Sequence, residues 1–231
     1  SNGSGTTASV TVTENSTAAT TVTASDADAG EILTYSIVGG NDATQFTINA
    51  STGALSFLTA PDREAPADNG VNNVYDVVVQ VSDGTRTDTQ TIAVTVGDAN
   101  DNAPVITSNG DGATAGVSVA ENSTAVTTVT ATDADGATTY AYSISGGADA
   151  AKFAINASTG VLTFVSAPNF EAPSDAGGIN IYDVTVQVSD GTNTDTQAMA
   201  VTVTNLNDIA PVITSNGGGA TAGVSVAENS T

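Results

Sequence analysis

Residues 75–104 contain two runs of alternating apolar and polar residues, separated by a turn and followed by an acidic segment: YDVVVQVSDGTRTDTQTIAVTVGDANDNAP. The apolar positions are Val77, Val79 and Val81 in the first run, and Ile92, Val94 and Val96 in the second. A period of two is typical of a β-strand with one buried face, whereas a helix repeats about every 3.6 residues. The stretch therefore predicts two long strands, with an acidic segment directly after the second strand.

Five shorter runs with the same alternation precede this stretch, at residues 9–13, 20–24, 33–37, 46–48 and 55–57. Gly, Asn, Asp and Pro, the usual turn residues, separate them. Seven short strands in about 100 residues predict an all-β, Greek-key sandwich of the immunoglobulin-like kind. With only 4% aromatic residues, the core needs few large anchors. We expect these to be Phe46, Phe57 and Tyr75, and their later counterparts Phe153, Phe164 and Tyr182.

The whole pattern recurs with a period of 107 residues, since Glu14-Asn15-Ser16-Thr17 returns from Glu121 and again from Glu228 (14 to 121 and 121 to 228). A fixed period of this length indicates tandem domains. We expect one repeat at 1–103, a second at 104–210, and at 211–231 the linker and first strand (223–227) of a third. The chain is then an excerpt from a longer array.

The charge is strongly one-sided: 25 Asp and Glu against 3 Lys and Arg give a net charge of −22, and His and Cys are absent. A nucleic-acid groove is excluded because it needs clustered cations. Without His or Cys, zinc sites, thiol chemistry and the usual nucleophile–base pairs are also missing, so an enzyme is not expected. No apolar run is long enough to insert into a membrane, and the N-terminus does not resemble a signal peptide.

The acids concentrate at strand ends and in the segment Asp98-Ala99-Asn100-Asp101-Asn102. Carboxylates, Asn side chains and backbone carbonyls are the oxygen ligands that Ca²⁺ takes. A single acidic loop is usually only solvated, and a carboxylate pair can also belong to a glycosidase. No Trp and few aromatic residues accompany these acids, which disfavours the glycosidase reading.

The ordered motifs Glu14-Asn15, Asp26-x-Asp28, Asp62-Arg63-Glu64, Ser82-Asp83-Gly84 and Asp98-x-Asn-Asp-Asn-x-Pro104 resemble those of the cadherin repeat. All five appear in the first copy, and the resemblance extends over both copies. The close similarity of the copies and their Ser-, Thr-, Ala- and Gly-rich surface resemble the bacterial cadherin-like repeats of giant surface adhesins, including biofilm-associated proteins.

The resemblance implies a cluster of about three Ca²⁺ ions between successive repeats. Its implied ligands come from the base of the first repeat, the linker and the top of the second. They are Glu14, Asp62, Glu64, Asp98, Ala99 (carbonyl), Asn100, Asp101, Asn102 (carbonyl), Asp133, Asp135 and Asp190.

Two further sets are incomplete in the sequence. Asp26, Asp28 and Asp83 at the top of the first repeat lack a preceding linker. The base of the second repeat offers Glu121, Glu171, Asn207 and Asp208, but Asn169, Asn205 and Ile209 replace an Asp, an Asp and an Asn of the pattern. We expect this lower site to bind fewer ions or to bind them less tightly.

The resemblance implies an extender module of an extracellular or bacterial cell-surface adhesin, rigidified by Ca²⁺, with neighbouring repeats of the same chain as partners and with roles in cell adhesion and biofilms. The alternative is a module that binds exopolysaccharide or another adhesin copy homophilically. Tyr140 is the aromatic residue expected to point outward for such a role.

Overall fold

The computed structural model describes residues 5–28, 30–136, 139–215, 221, 223–226 and 228. The chain packs as two compact units: the first comprises 1–105, 132–140 and 189–195, and the second comprises 106–131, 141–188 and 196–231. Two loops of the second sequence repeat thus belong to the first unit. Among the described residues, no helix has the length and apolar character needed to cross a bilayer.

The first repeat contains the seven predicted strands. They are β1 (Thr7–Thr13), β2 (Ala18–Thr21), β3 (Thr34–Gly39), β4 (Phe46–Ile48), β5 (Ala54–Phe57), β6 (Val74–Ser82) and β7 (Thr87–Gly97). They form a four-stranded sheet in the order β1-β7-β6-β3 and a three-stranded sheet in the order β2-β5-β4. This arrangement confirms the all-β, sandwich-type fold.

Register explains how the alternating residues reach the core. Strand β1 runs parallel to β7 with Val10 opposite Val94, and β6 runs antiparallel to β7 with Tyr75 opposite Val94. Because successive side chains of a strand point to opposite faces, the alternating valines bury one face. Val77 and Val94 are fully buried. The predicted anchor Phe57 packs edge-on to Tyr75 with ring centroids 5.1 Å apart, and tilted against Phe46 at 4.4 Å.

The following part of the chain repeats this architecture. Its strands are β8 (Val105–Ile106), β9 (Thr114–Ala120), β10 (Ala125–Thr128), β11 (Ala131–Thr132), β12 (Ala141–Gly146), β13 (Phe153–Ile155), β14 (Val161–Phe164), β15 (Ile181–Ser189) and β16 (Thr194–Thr204). The sheets have the orders β12-β15-β16-β9 and β10-β14-β13. The second aromatic trio is also buried, with Phe164 edge-on to Tyr182 at 5.1 Å.

Two strand predictions differ from the structure. The second strand ends at Thr21 rather than Ala24, because its partner β5 begins at Ala54, directly after a turn in which Gly53 has a φ of 70°. Residues 223–226 of the predicted strand 223–227 are irregular, and Ala227 lies outside the described residues. The equivalent strands β1 and β9 are held by the last strand of their own repeat, a partner that lies about 80 residues downstream.

Candidate metal centre

Glu14 joins three segments at the end of β1. Its side chain is buried, with Oε2 accepting the N–H of Arg63 at 2.6 Å and Oε1 accepting the N–H of Ala99 at 2.8 Å. The carboxylate therefore fixes the loop that follows β5 and the segment that follows β7. Each oxygen accepts one N–H group and retains a second lone pair for a further partner.

The loop after β5 presents two further acids. Oδ1 of Asp62 accepts the N–H groups of Glu64 and Ala65, both at 3.0 Å, so the loop turns tightly around its own first acid. Glu14, Asp62 and Glu64 each place a carboxylate oxygen within 4.8 Å of the others'. Three carboxylates this close repel one another unless a cation lies among them.

Glu64 also belongs to a second triad with Asp98 and Asp135, again with oxygens within 4.8 Å of one another. Burial raises the pKa of Glu64 above its usual value of 4.5; a backbone N–H opposes this, while the charges of Glu14, Asp135 and Asp98 reinforce it. The raised pKa of Glu64 thus reflects its burial first and the neighbouring negative charges second. Glu64 is the residue that the two triads share.

Asp135 and Asp190 lie in the two loops of the second repeat that pack with the first unit. Asp135 accepts the backbone N–H of Asn102 at 3.0 Å and its side-chain amide at 2.8 Å. Oδ1 of Asp190 accepts the N–H groups of Thr192 and Asn193 at 2.6 and 2.7 Å. Burial acts to raise the pKa of Asp190, but these N–H groups outweigh it and hold the pKa below its usual value.

Two predicted ligands carry buried oxygens that lack a hydrogen-bond partner among the described residues: Oδ2 of Asp133 and Oδ2 of Asp190. A buried anionic oxygen without a partner is costly, so it normally faces a donor, water or a cation. Both residues were predicted to be ligands from the sequence alone. The all-oxygen donor set and these two atoms fit a hard cation such as Ca²⁺.

Other predicted ligands make bonds within the protein. Asp101 accepts amide N–H groups from the side chains of Asn15 and Asn102, and it belongs to neither triad. The carbonyl of Asn102 accepts the side-chain amide of Asn193 at 3.0 Å, and that of Ala99 accepts the N–H of Asp101 at 2.9 Å. Direct ligation by these groups would compete with these bonds. The side chain of Asn100 lies near Asp190 and contributes to the lowered pKa of that acid.

The acids at the top of the first repeat are arranged differently. Asp26 accepts the N–H of Asp28 at 2.9 Å, and Asp83 accepts those of Thr85 and Arg86, both at 2.6 Å. The bonds from Arg86 and Thr85 hold the pKa of Asp83 below its usual value. Among the described residues these three acids form no triad.

A third triad lies in the second unit and consists of Glu121, Glu171 and Asp208. Glu121 accepts the N–H of Leu206 at 2.8 Å and that of Phe170 at 2.7 Å, which together hold its pKa below the usual 4.5. Glu171 accepts the side-chain amide of Asn205 at 3.0 Å, and Asp208 that of Asn122 at 2.6 Å. The fourth predicted residue of this set, Asn207, is exposed.

Two pairs of buried acids outside the predicted metal set hold the long loops in place. Asp68 and Asp175 are buried and accept several backbone N–H groups in the long loop before β6 and before β15. Asp42 connects this loop to β6, because it accepts the backbone N–H of Asn69 at 2.7 Å and that of Asp76 at 2.8 Å. Its counterpart Asp149 makes the equivalent bonds in the second repeat. Their recurrence at the 107-residue period was the available signal.

Comparison with known proteins gives the family. The model of the cadherin domain matches residues 8–97 and 116–205, one match for each sandwich. Human protocadherin-23 is 30% identical over 200 residues, covering 83% of this chain and 5% of the relative. Mouse cadherin EGF LAG seven-pass G-type receptor 2 is 33% identical over 207 residues, covering 84% and 6%. The chain thus spans only a small fraction of the length of these relatives.

Solved structures agree on the fold. The extracellular cadherin domains 3–6 of protocadherin gamma B2 superpose with a TM-score of 0.66 at 22% identity, covering 87% of this chain and 50% of that one. Domains EC22–24 of mouse cadherin-23 give a TM-score of 0.63 at 25% identity, covering 87% and 63%. With the family model matching most of the sequence in two tandem copies, the chain belongs to the cadherin domain family.

Proposed function

We propose that this chain is a calcium-binding extender module of a bacterial cell-surface or secreted adhesin. One observation carries the calcium assignment: two carboxylate triads share Glu64, and the buried Oδ2 atoms of Asp133 and Asp190 lack hydrogen-bond partners among the described residues. Membership of the cadherin domain family supports a role in cell adhesion. The nearly repetitive, Ser- and Thr-rich sequence supports a long surface array.

The proposed ligands fall into two groups. The carboxylates of the two triads would hold ions directly, together with the free oxygens of Asp133 and Asp190 and with Asn100. Asp101 and the carbonyls of Ala99 and Asn102 would exchange their present hydrogen bonds for ligation. Calcium would supply positive charge that cancels the repulsion among these acids.

The proposed mechanism couples metal binding to order in residues 98–104. This segment leaves β7 and lies between the two family-matched stretches. Its backbone is held by carboxylates, since Ala99 donates to Glu14 and Asn102 donates to Asp135. Neutralising the cluster would stabilise these attachments, and binding to the ordered form alone stabilises that form. Successive repeats of the same chain are the proposed partners, in an extracellular setting.

The alternative of direct exopolysaccharide binding finds less support. Sugar-binding sites commonly present aromatic rings to solvent, and all ten Phe and Tyr residues are among those described. Seven of them are buried, and Tyr140, Tyr35 and Phe170 are half-buried. Homophilic binding to another adhesin copy remains an alternative that a glycan array combined with sedimentation analysis would separate from glycan binding.

Calorimetric titration with Ca²⁺ tests the proposal, using Asp101→Ala and its matched control Asp208→Ala. We expect loss of the tightest binding in Asp101→Ala and its retention in Asp208→Ala, with Mg²⁺ binding more weakly because it demands a smaller, octahedral site. Absence of Ca²⁺ binding by the unmodified chain would refute the proposal. Equal loss in both variants would refute the assignment to the first cluster.

A further inference from the structure

Arg63 is one of only three basic residues in the chain and lies within its densest group of acids. Its Nη1 donates to the carbonyl of Val96 at 3.2 Å, and its Nε lies 3.5 Å from Oδ1 of Asp98. The guanidinium therefore contacts both the end of β7 and the first acid of the segment that follows. Both side chains of this ion pair remain about two-fifths exposed, at 43% and 41%.

The backbone of Arg63 is held without help from its side chain. Its N–H donates to Glu14, and its carbonyl accepts the side-chain amide of Asn73 at 2.9 Å. The loop conformation thus does not depend on the guanidinium. A change of side chain at this position tests the two guanidinium contacts rather than the fold of the loop.

The second repeat contains the same backbone hydrogen bonds around a different side chain. There Phe170 occupies the equivalent position, donates its N–H to Glu121 at 2.7 Å and accepts the amide of Asn180 at 2.9 Å. The counterpart of Asp98 is Asn205, which bonds to Glu171 instead. Both members of the Arg63–Asp98 ion pair are therefore replaced by uncharged residues in the second repeat, while the backbone hydrogen bonds at the first of the two positions are retained.

We propose that Arg63 is a positioning residue for the calcium cluster, acting through Asp98. The guanidinium connects Asp98 to the end of β7 and holds its carboxylate in the triad with Glu64 and Asp135 before an ion binds. This inference rests on the proposed function. Its physical basis is preorganisation: a ligand already in place adds less ordering cost to binding.

A cation beside a metal site also repels the metal. The charge of Arg63 therefore lowers Ca²⁺ affinity, whereas its positioning of Asp98 raises it. Lysine separates them, because it keeps the charge but lacks the planar fork that contacts two oxygens at once. Since the site is partly exposed, salt screens the repulsion, whereas the hydrogen bond from Nη1 to the uncharged carbonyl of Val96 is little affected. At moderate ionic strength we therefore expect geometry to dominate.

The test measures the Ca²⁺ dissociation constant of Arg63→Lys and Arg63→Gln by calorimetry, with Lys152→Gln as the matched control for loss of an exposed positive charge. We expect both Arg63 variants to bind roughly tenfold more weakly, as for residues that orient metal ligands, and the control to bind normally. Wild-type affinity in both Arg63 variants would overturn the proposal. Tighter binding by Arg63→Gln with normal binding by Arg63→Lys would also overturn it, because charge alone would then explain the effect.

Two further measurements separate positioning from a general loss of stability. In an Asp98→Asn background, Arg63→Gln should cause no additional loss of affinity, whereas additive losses would contradict action through Asp98. In chelator, Arg63→Gln should accelerate amide hydrogen exchange at Ala99 while the thermal unfolding midpoint stays unchanged. This second measurement needs no metal, so it tests the connection to β7 even if the chain binds no Ca²⁺. Unchanged exchange at Ala99 would contradict the connection.

Discussion

Glu14 in the first repeat and Glu121 in the second occupy equivalent positions and make equivalent bonds. Each buried carboxylate accepts one N–H from the loop after β5 or β14 and one from the segment after β7 or β16. Around this shared frame the charges differ. Among the residues that the structure describes, the first unit contains two triads linked by Glu64, whereas the second contains the triad of Glu121, Glu171 and Asp208.

The second triad of the first unit uses Asp135, for which the 231-residue sequence has no counterpart 107 residues later. Four substitutions also distinguish the two sets: Asn169 for Asp62, Phe170 for Arg63, Asn205 for Asp98, and Ile209 for Asn102. None of them removes a bond to Glu121, because those bonds come from backbone N–H groups. The comparison teaches that the loop architecture and the metal-binding charge are separable. The loop architecture depends on one glutamate in each repeat. The proposed Ca²⁺ binding depends on the residues around that glutamate.

Removing that glutamate should have the largest effect. Glu14→Ala leaves the N–H groups of Arg63 and Ala99 without their acceptor, which should cost about 2 kcal/mol of unfolding free energy in chelator. It should also weaken Ca²⁺ binding by roughly a hundredfold, since a ligand and the frame are lost together. Denaturant unfolding and calorimetry measure the two effects.

Glu121→Ala is the matched control for Glu14→Ala. It should also destabilise its own repeat in chelator, because it breaks the equivalent pair of bonds. The tightest Ca²⁺ binding should persist. Comparable loss of that binding in Glu121→Ala would show that the two clusters are not distinct in the way proposed.

Restoring the missing acids should create a second site. In Asn169→Asp combined with Asn205→Asp, the second cluster regains the carboxylates that correspond to Asp62 and Asp98. Because Ca²⁺ affinity rises with the number of charged ligands, we expect binding at this cluster to tighten by roughly tenfold. Calorimetry should detect an additional binding event. An unchanged isotherm would mean that charge count does not explain the difference between the repeats.

The two clusters should respond oppositely to acid in chelator. Glu64 has a raised folded-state pKa, so as pH falls through a value above 4.5 it takes up a proton, relieves repulsion and stabilises the first cluster. Glu121 has a lowered folded-state pKa, so its contribution is present above 4.5 and is lost as pH falls through a value below 4.5. Carboxyl NMR titration measures both directly. Indistinguishable titration curves for Glu64 and Glu121 would contradict this smallest of the expected effects.

The fold was largely predictable because its determinants are local. Alternating residues such as Val77 and Val94 define buried strand faces, and the aromatic anchors lie at the same phase. The end of the second strand was placed too late because the turn at Gly53, which begins its partner strand, lies in a different part of the sequence. The strand predicted at 223–227 requires a partner strand that is distant in sequence, which local alternation does not reveal.

The site was predictable in composition but not in detail. The motif order brought Glu14, Asp62 and Glu64 together as expected from the resemblance. It did not indicate that Asn102 gives its carbonyl to Asn193 or that Arg63 contacts Asp98. Both interactions depend on how separate loops approach one another, which the motif spacing does not indicate. The sequence pattern therefore indicated the proposed ligands, but not the contacts that connect them to other loops.

The central claim is that Ca²⁺ binds the first cluster in preference to the second. The N–H groups of Ala99 and Leu206 are matched reporters, each donating at 2.8 Å to the glutamate of its own frame. A Ca²⁺ titration followed by amide hydrogen exchange at these two positions tests the claim directly. We predict that Ala99 gains protection at lower Ca²⁺ concentration than Leu206. Equal responses at both amides, or protection at Leu206 first, would contradict the account.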